Sequence, residues 1–385
     1  MEELKREVIE HLNNKIIPFW ESLIDKKYGG FIGFVDFDLN RYPYAPKSCV
    51  LQTRILWFFS SAYNFKKDES LLEYAEHAYE FVINHIWDKE KEGLFWMVNH
   101  DGSSLDTRKH VYAQAFGIYA LSEYYSAVKD SKALDLAIKL FEILENKCRD
   151  DYAYWEEFER DWTKKENIIL GEYNVKPIRS MNSLLHILEA YTNLYKVWKD
   201  PFLKERLINI INLFKDKIYN FESNHFEVFL DSNWTPQIPA ISYGHDIEGT
   251  WLLDLALETI GEMRSDIDEM NIKIAETVLK EGFEKSSLIN EKAGDKIDKS
   301  RVWWVQAEAL VGFLNAYNKT KDQKFLKAVT NLWDFIKNNL VDKRENSEWF
   351  SRLDEHLKPV KLPIVEPWKC PYHNGRMCIE VGRRI

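Results

Sequence analysis

His245 and Glu248 stand three residues apart in the stretch Tyr243-Gly244-His245-Asp246-Ile247-Glu248-Gly249-Thr250-Trp251. On a helix that spacing puts both side chains on one face. An imidazole titrates near neutral pH, and a carboxylate one turn away orients it or supports its charged form. The pair is a beginning for acid–base chemistry, although such pairs also occur on solvated helices. Gly244 gives the backbone freedom just before the helical pattern begins. Other polar groups in apolar surroundings are Arg54, Tyr112, Asn182, His186, Glu189, Gln306, Glu308, His373 and Asn374, with Trp303, Trp304, Trp368 and Tyr372 among them.

Three chemistries suit three histidines, an arginine and a few carboxylates. A metal site is one, since imidazole and carboxylate are common ligands; no HExxH occurs, and the histidines come from separate segments. Glycoside hydrolysis is another, needing two opposed carboxylates that Asp246, Glu248 and Glu308 supply. Proton transfer at carbon is the third. It wants bases on both faces of a planar intermediate and donors to the developing enolate oxygen. Histidines on facing helices and a buried arginine fit that requirement best, with the other two left open. Arg54 is also a candidate for a buried ion pair with Glu189 or Glu308. His11, His77, His85, His100, His110, His225 and His356 are expected on wet faces or in loops.

Positioning these groups requires elements that bring them together. Helix-period patterns dominate the chain and fall into two alternating classes. Segments 3–24, 69–87, 131–147, 201–218, 264–283 and 322–340 carry one apolar stripe and one wet face. Segments 47–64, 107–127, 180–198, 245–261 and 301–317, and a shorter one from about Asn374, are apolar nearly all round. The second class recurs every ~60–70 residues, each with a one-sided partner, which is a repeat of helical hairpins. Six such pairs close into a ring without capping repeats. The expected fold is all-α, an (α/α)6 barrel formed by one domain over residues 1–385. Strand-like pieces at 29–35, 93–98, 225–230 and 348–350 rim one mouth. Residues 148–179, rich in aromatics, read as a lid.

Composition excludes other classes. The formal net charge of −10 disfavours nucleic acid and anionic membranes as partners. No run reaches about 18 apolar residues, so no helix is expected to span a bilayer. The charged start Met1-Glu2-Glu3-Leu4-Lys5-Arg6 is not a signal sequence, and four scattered cysteines suit a reducing, cytoplasmic setting. The 14 Trp, 19 Tyr and 22 Phe fill a core or stack on sugar rings.

Several motifs in chain order carry a resemblance. They are Tyr28-Gly29-Gly30-Phe31, Lys47-Ser48, Arg54 to Ser60, Lys109, Tyr112-Ala113-Gln114-Ala115-Phe116 and Met181-Asn182. They continue through His186 to Thr192, Tyr243 to Glu248, Trp303 to Glu308 and Trp368 to Arg376. In these the chain resembles the N-acylglucosamine 2-epimerase superfamily, and within it the cellobiose 2-epimerases. One departure is Leu184, where that group often has histidine.

The resemblance implies an (α/α)6 barrel that inverts C2 of the reducing-end glucose of β-1,4-linked disaccharides, without cofactor or metal. It implies His245 and His373 as the acid–base pair, with His373 also opening the ring. His186 and Arg54 would serve O1, O2 and the enediolate. Glu248 would orient His245 or bind a hydroxyl. Tyr112, Asn182 and Glu308 would hold substrate, with Trp303, Trp304 and Trp368 as sugar platforms. A monomer acting on a disaccharide is expected. The alternative is a relative acting on N-acylglucosamine or isomerising mannose, and more distantly a glycosidase on the same barrel.

Overall fold

The computed structural model describes residues 1–165 and 179–385. Six inner helices run Cys49–Lys66, Val111–Val128, Met181–Val197, Tyr243–Ile260, Trp303–Thr320 and Tyr372–Arg384. Each packs against the next, and the sixth packs against the first. The ring is closed, an (α/α)6 barrel, and the helices that read as apolar all round are those buried on both sides.

The outer layer begins with Glu2–His11, which continues through a wide turn, Leu12–Ile16, into Ile17–Glu21. It continues with Ser70–Phe81, Ser131–Ile143, Pro201–Leu213, Ser265–Glu281 and Gln323–Phe335. Local chemistry starts and stops these helices. Asp130, Asp200 and Asp322 cap outer helices by accepting backbone N–H bonds, as Ser48 and Ser180 do for inner ones. Four outer helices finish in a widened turn, as at Val82–Ile86 and Ile336–Leu340, and then become extended.

The extended pieces build the rim where the inner helices start. The two or three residues before each of the first five inner helices pair antiparallel with a strand from the next repeat. Lys47 opposes Val98, Lys109 opposes Phe158, Arg179 opposes Leu230, Ser242 opposes Glu291 and Arg301 opposes Leu353. A bridge between Val35 and Val365 closes this chain of pairs. Buried ion pairs Lys47–Asp25 (2.7 Å), Lys109–Asp88 (3.0 Å) and Lys369–Glu348 (2.6 Å) lie in the same junctions. Each Lys is desolvated, so its partner is needed to hold it there.

Tertiary packing corrects three histidine expectations, two of them at the rim. His225 and His110 are buried rather than wet. His110 Nδ1 accepts the Tyr112 N–H, and His225 lies between Asp246 and Glu281. His11 is bonded to the Trp349 indole N–H at 2.7 Å. Loop residues that return to the rim become interior, which helical periodicity does not report. The expected lid at 148–179 divides. Residues 166–178 lie outside the described residues, while Glu157–Phe158 is a rim strand and Tyr154 and Phe158 are buried. No helix among the described residues is long and apolar enough to cross a membrane.

Candidate active site

The starts of the inner helices converge on a cavity of about 580 Å³ inside the rim. Ten side chains line it: Arg54, Tyr112, Asn182, His186, His245, Glu248, Trp303, Trp304, Trp368 and His373. All ten were singled out from the sequence. The eleventh, Glu308, is corrected: it lies behind the wall, with its oxygens taken by His373, Arg376 and Trp251.

Each of the three histidines is pinned through Nδ1. His186 meets Glu189 at 3.0 Å, His373 meets Glu308 at 2.7 Å, and His245 meets Ser242 Oγ at 2.7 Å. A carboxylate can only accept, so His186 and His373 in their neutral forms carry the proton on Nδ1 and a lone pair on Nε2. Nε2 of each has no protein hydrogen bond among the described residues. Burial lowers the pKa of His245 to about 3, with His186 adding to it. Burial, then Arg54 and Arg376, hold His373 well below the usual range. Trp304 lies between these two, its ring 4.7 Å from that of His245 and 5.5 Å from that of His373. Gly244 permits this by close approach: a Cβ there would meet the Trp304 ring at 2.6 Å. Its φ is not in the left-handed region, so backbone freedom is not its role.

Two arginines underlie the cavity. Arg54 donates to the Tyr112 hydroxyl at 2.6 Å and to the Trp368 carbonyl at 3.3 Å. Its guanidinium lies 4.1 Å from the Phe116 ring centre. It pairs with neither Glu189 nor Glu308, the candidates for a buried ion pair. Those belong to Arg376, which also bonds Glu248 at 2.5 Å and Glu308 at 2.8 Å. Arg376 was not singled out as a site residue. Its signal was a buried cation three residues after His373 on the same helix.

This layer holds three carboxylates against one arginine. Burial raises Glu248 to about 7, with the charge of Glu308 adding to it. Burial acts upward on Glu189 too, but Arg376 and His186 win and bring it to about 2. Glu248 makes no hydrogen bond to His245 among the described residues. Its Oε2 is buried without a hydrogen-bond partner among the described residues, as are Asn182 Oδ1 and Arg54 Nε. Unpaired buried polar atoms at a cavity wall suit a ligand rich in hydroxyls. Ligand atoms of Glu248, Glu308 and His373 lie within 4.8 Å of one another, spacing that suits a metal ion. The place of a cation between the two carboxylates is taken by Arg376.

A second cavity, of about 950 Å³, shares Tyr112, Asn182, His245 and Trp368 with the first. It adds Trp96, Arg108, His110, Glu156 and Glu157, which the sequence analysis did not single out. Trp368, 46% exposed, stands at the junction. Leu184 lines neither cavity; it lines a separate, small pocket with Tyr154, Ile187 and Trp234.

A family model described as N-acylglucosamine 2-epimerase (GlcNAc 2-epimerase) matches residues 30–375. The chain belongs to this family. Within the family it is similar to a cellobiose 2-epimerase of Dictyoglomus turgidum, 55% identical over 384 residues and 99% of each chain. A cellobiose 2-epimerase of Ruminococcus albus is 43% identical over 381 residues, 98% of each. The solved cellobiose 2-epimerase of Bacillus thermoamylovorans superposes with a TM-score of 0.98 at 44% identity, covering 100% of both chains.

Proposed function

We propose that this protein inverts C2 of the reducing-end glucose of β-1,4-linked disaccharides, turning cellobiose into glucosyl-mannose and lactose into epilactose. The observation that carries the chemistry is the trio of histidines pinned at Nδ1 around one cavity, each with Nε2 free of hydrogen bonds among the described residues. The names of the relatives support the substrate, and the adjoining second cavity has room for the other sugar unit.

The steps follow from the substrate. A pyranose hides its carbonyl, so His373 assists ring opening at O1 and O5. The aldehyde then acidifies the C2 hydrogen. One imidazole of the His245–His373 pair removes that proton and becomes imidazolium. The other, holding a proton, returns one to the opposite face. The pair carries one proton in all, which changes sides at each turnover. Between the steps a cis-enediolate exists. Arg54, with no carboxylate paired to it among the described residues, and His186 face its oxygens. Glu248, Asn182 and Tyr112 hold hydroxyls, and Trp303, Trp304 and Trp368 carry the sugar faces. Glu308 acts through His373. The chain works as one catalytic domain, a monomer in the cytoplasm; four buried free cysteines support a reducing compartment.

Incubation with cellobiose in deuterium oxide tests the reading. Glucosyl-mannose bearing deuterium at C2 is expected, and release of free glucose instead would overturn it. His245→Ala and His373→Ala should each lower kcat at least ~10²-fold; near-normal turnover removes that residue from the pair.

A further inference from the structure

The fourth residue of an inner helix does the same task in three repeats. Gln52 accepts the Phe31 N–H and donates to the Phe31 carbonyl, both at 2.9 Å. Gln114 holds Leu94 in this way at 2.7 and 2.9 Å, and Gln306 holds Leu288 at 2.9 and 2.7 Å. A neutral amide thus ties the start of each of these three inner helices to the hairpin behind it. In the fourth repeat the position is Asp246, next to His245. Its Oδ1 accepts the Phe226 N–H at 2.8 Å, but a carboxylate has nothing to donate to a carbonyl. Its Oδ2 meets Nδ1 of His225 at 2.7 Å, and His225 Nε2 reaches Glu281, at the end of the outer helix that follows, at 3.2 Å. At this one of the four clamps a titratable chain replaces the amide: Asp246 and His225, both buried, and Glu281, whose side chain is 42% exposed.

The chain has a route to solvent. A cavity of about 640 Å³, separate from the two described above, is lined by His225, Phe226, Ala240, Ile241 and Lys292 among others. Ala240 and Ile241 lead directly into Ser242, the Nδ1 partner of His245. The strand that carries Ser242 therefore borders the space beside His225.

We propose that His225 is a positioning residue for His245: gripped between Asp246 and Glu281, it fixes the first turn of the fourth inner helix and so the imidazole that the helix presents to the cavity. The role rests on the reading of the site given above. Two carboxylates grip His225, one from the inner helix and one from the outer, and Glu227 and Lys292 line the cavity beside it. Burial acts to lower the His225 pKa, but Asp246 and Glu281 overcome this and leave it raised. The grip is therefore tightest while His225 is charged. It loosens as pH rises through that raised value.

The test compares kcat and KM for cellobiose from about pH 5.5 to about pH 9 in wild type, His225→Ala, His225→Gln and the double variant His225→Ala with Asp246→Gln. Wild type should lose kcat on the alkaline side. His225→Ala should lower kcat about tenfold with KM within about twofold, and its alkaline limb should vanish. His225→Gln keeps a neutral donor to Asp246, so it should hold kcat near neutral pH and also lack the limb. It carries the comparison if the alanine variant fails to fold. The double variant rebuilds the amide clamp of the other repeats and should recover kcat to within about threefold. An unchanged kcat and pH profile in His225→Ala overturns the proposal. So does a loss of kcat with the alkaline limb retained and no rescue. A second readout needs no substrate. With labelled histidine, the His245 ring signals should shift in His225→Ala relative to wild type, and unmoved signals overturn the positioning role whatever reaction the enzyme performs. Absence of epimer from the wild-type enzyme, with the His245 shift present, would instead sink the functional reading.

Discussion

Arg54 and Arg376 sit on neighbouring inner helices, each 2% exposed, and both guanidinia stack on the ring of Tyr372, at 4.5 and 4.2 Å. Their partners differ completely. Arg376 is enclosed by the carboxylates of Glu189, Glu248 and Glu308. Arg54 has a phenol, a carbonyl, a thiol and aromatic faces. A cation neutralised by three carboxylates organises a site, whereas one left without a counter-ion in a low dielectric is available to charge that develops on a substrate. The difference separates the layer that holds the histidines from the layer that meets the sugar.

Methionine at each position puts this contrast to its hardest test. Arg376→Met leaves buried carboxylates without their cation and should cost about 3–5 kcal/mol in denaturant unfolding. Arg54→Met removes a buried charge with no ionic partner, so stability should hold or rise while kcat falls about 10²–10³-fold. A stable Arg376→Met, or an Arg54→Met that unfolds with its activity intact, would collapse the distinction. Glu308→Gln sharpens it on the histidine side. It takes the carboxylate from His373 Nδ1 and should lower kcat about 10–100-fold, with KM little changed. Ser242→Ala removes only a neutral partner from His245, and a loss of about threefold is expected, read from the same kinetics.

The last prediction concerns the surplus of carboxylates around Arg376. The folded pKa of Glu248, about 7, lies above its unfolded value. Its contribution to stability is therefore complete below the unfolded pKa and is lost as pH rises through about 7. Wild type should lose about 1–3 kcal/mol more than Glu248→Gln between about pH 5 and about pH 8. Parallel melting curves for the two proteins across that range would contradict it.

Most of the barrel was legible because hydrophobic periodicity is local. The segments read as apolar all round became the inner helices within a few residues, and ten of eleven proposed site residues reached one cavity. Glu308 misled because a carboxylate one turn into an inner helix looks the same whether it faces the cavity or the back of a histidine. Arg376 was passed over, and Arg54 was given its partners, because sequence shows which residues are charged but not which carboxylate each cation reaches. His225 and His110 looked like loop residues because two-residue rim strands carry no periodic signal.

By itself the sequence determined the alternation of helix types, the closure of six repeats and the depth at which His186, His245 and His373 stand, since all three follow from spacing along single helices. Only the tertiary structure decided what each polar group touches. The Arg376–Glu189 pair spans 187 residues and Arg54–Tyr112 spans 58. Which Nδ1 meets a carboxylate and which a hydroxyl depends on how helices from different repeats face one another. Those contacts tune the imidazoles and leave Arg54 its charge, because electrostatic energy depends on distance through the folded interior and not on distance along the chain.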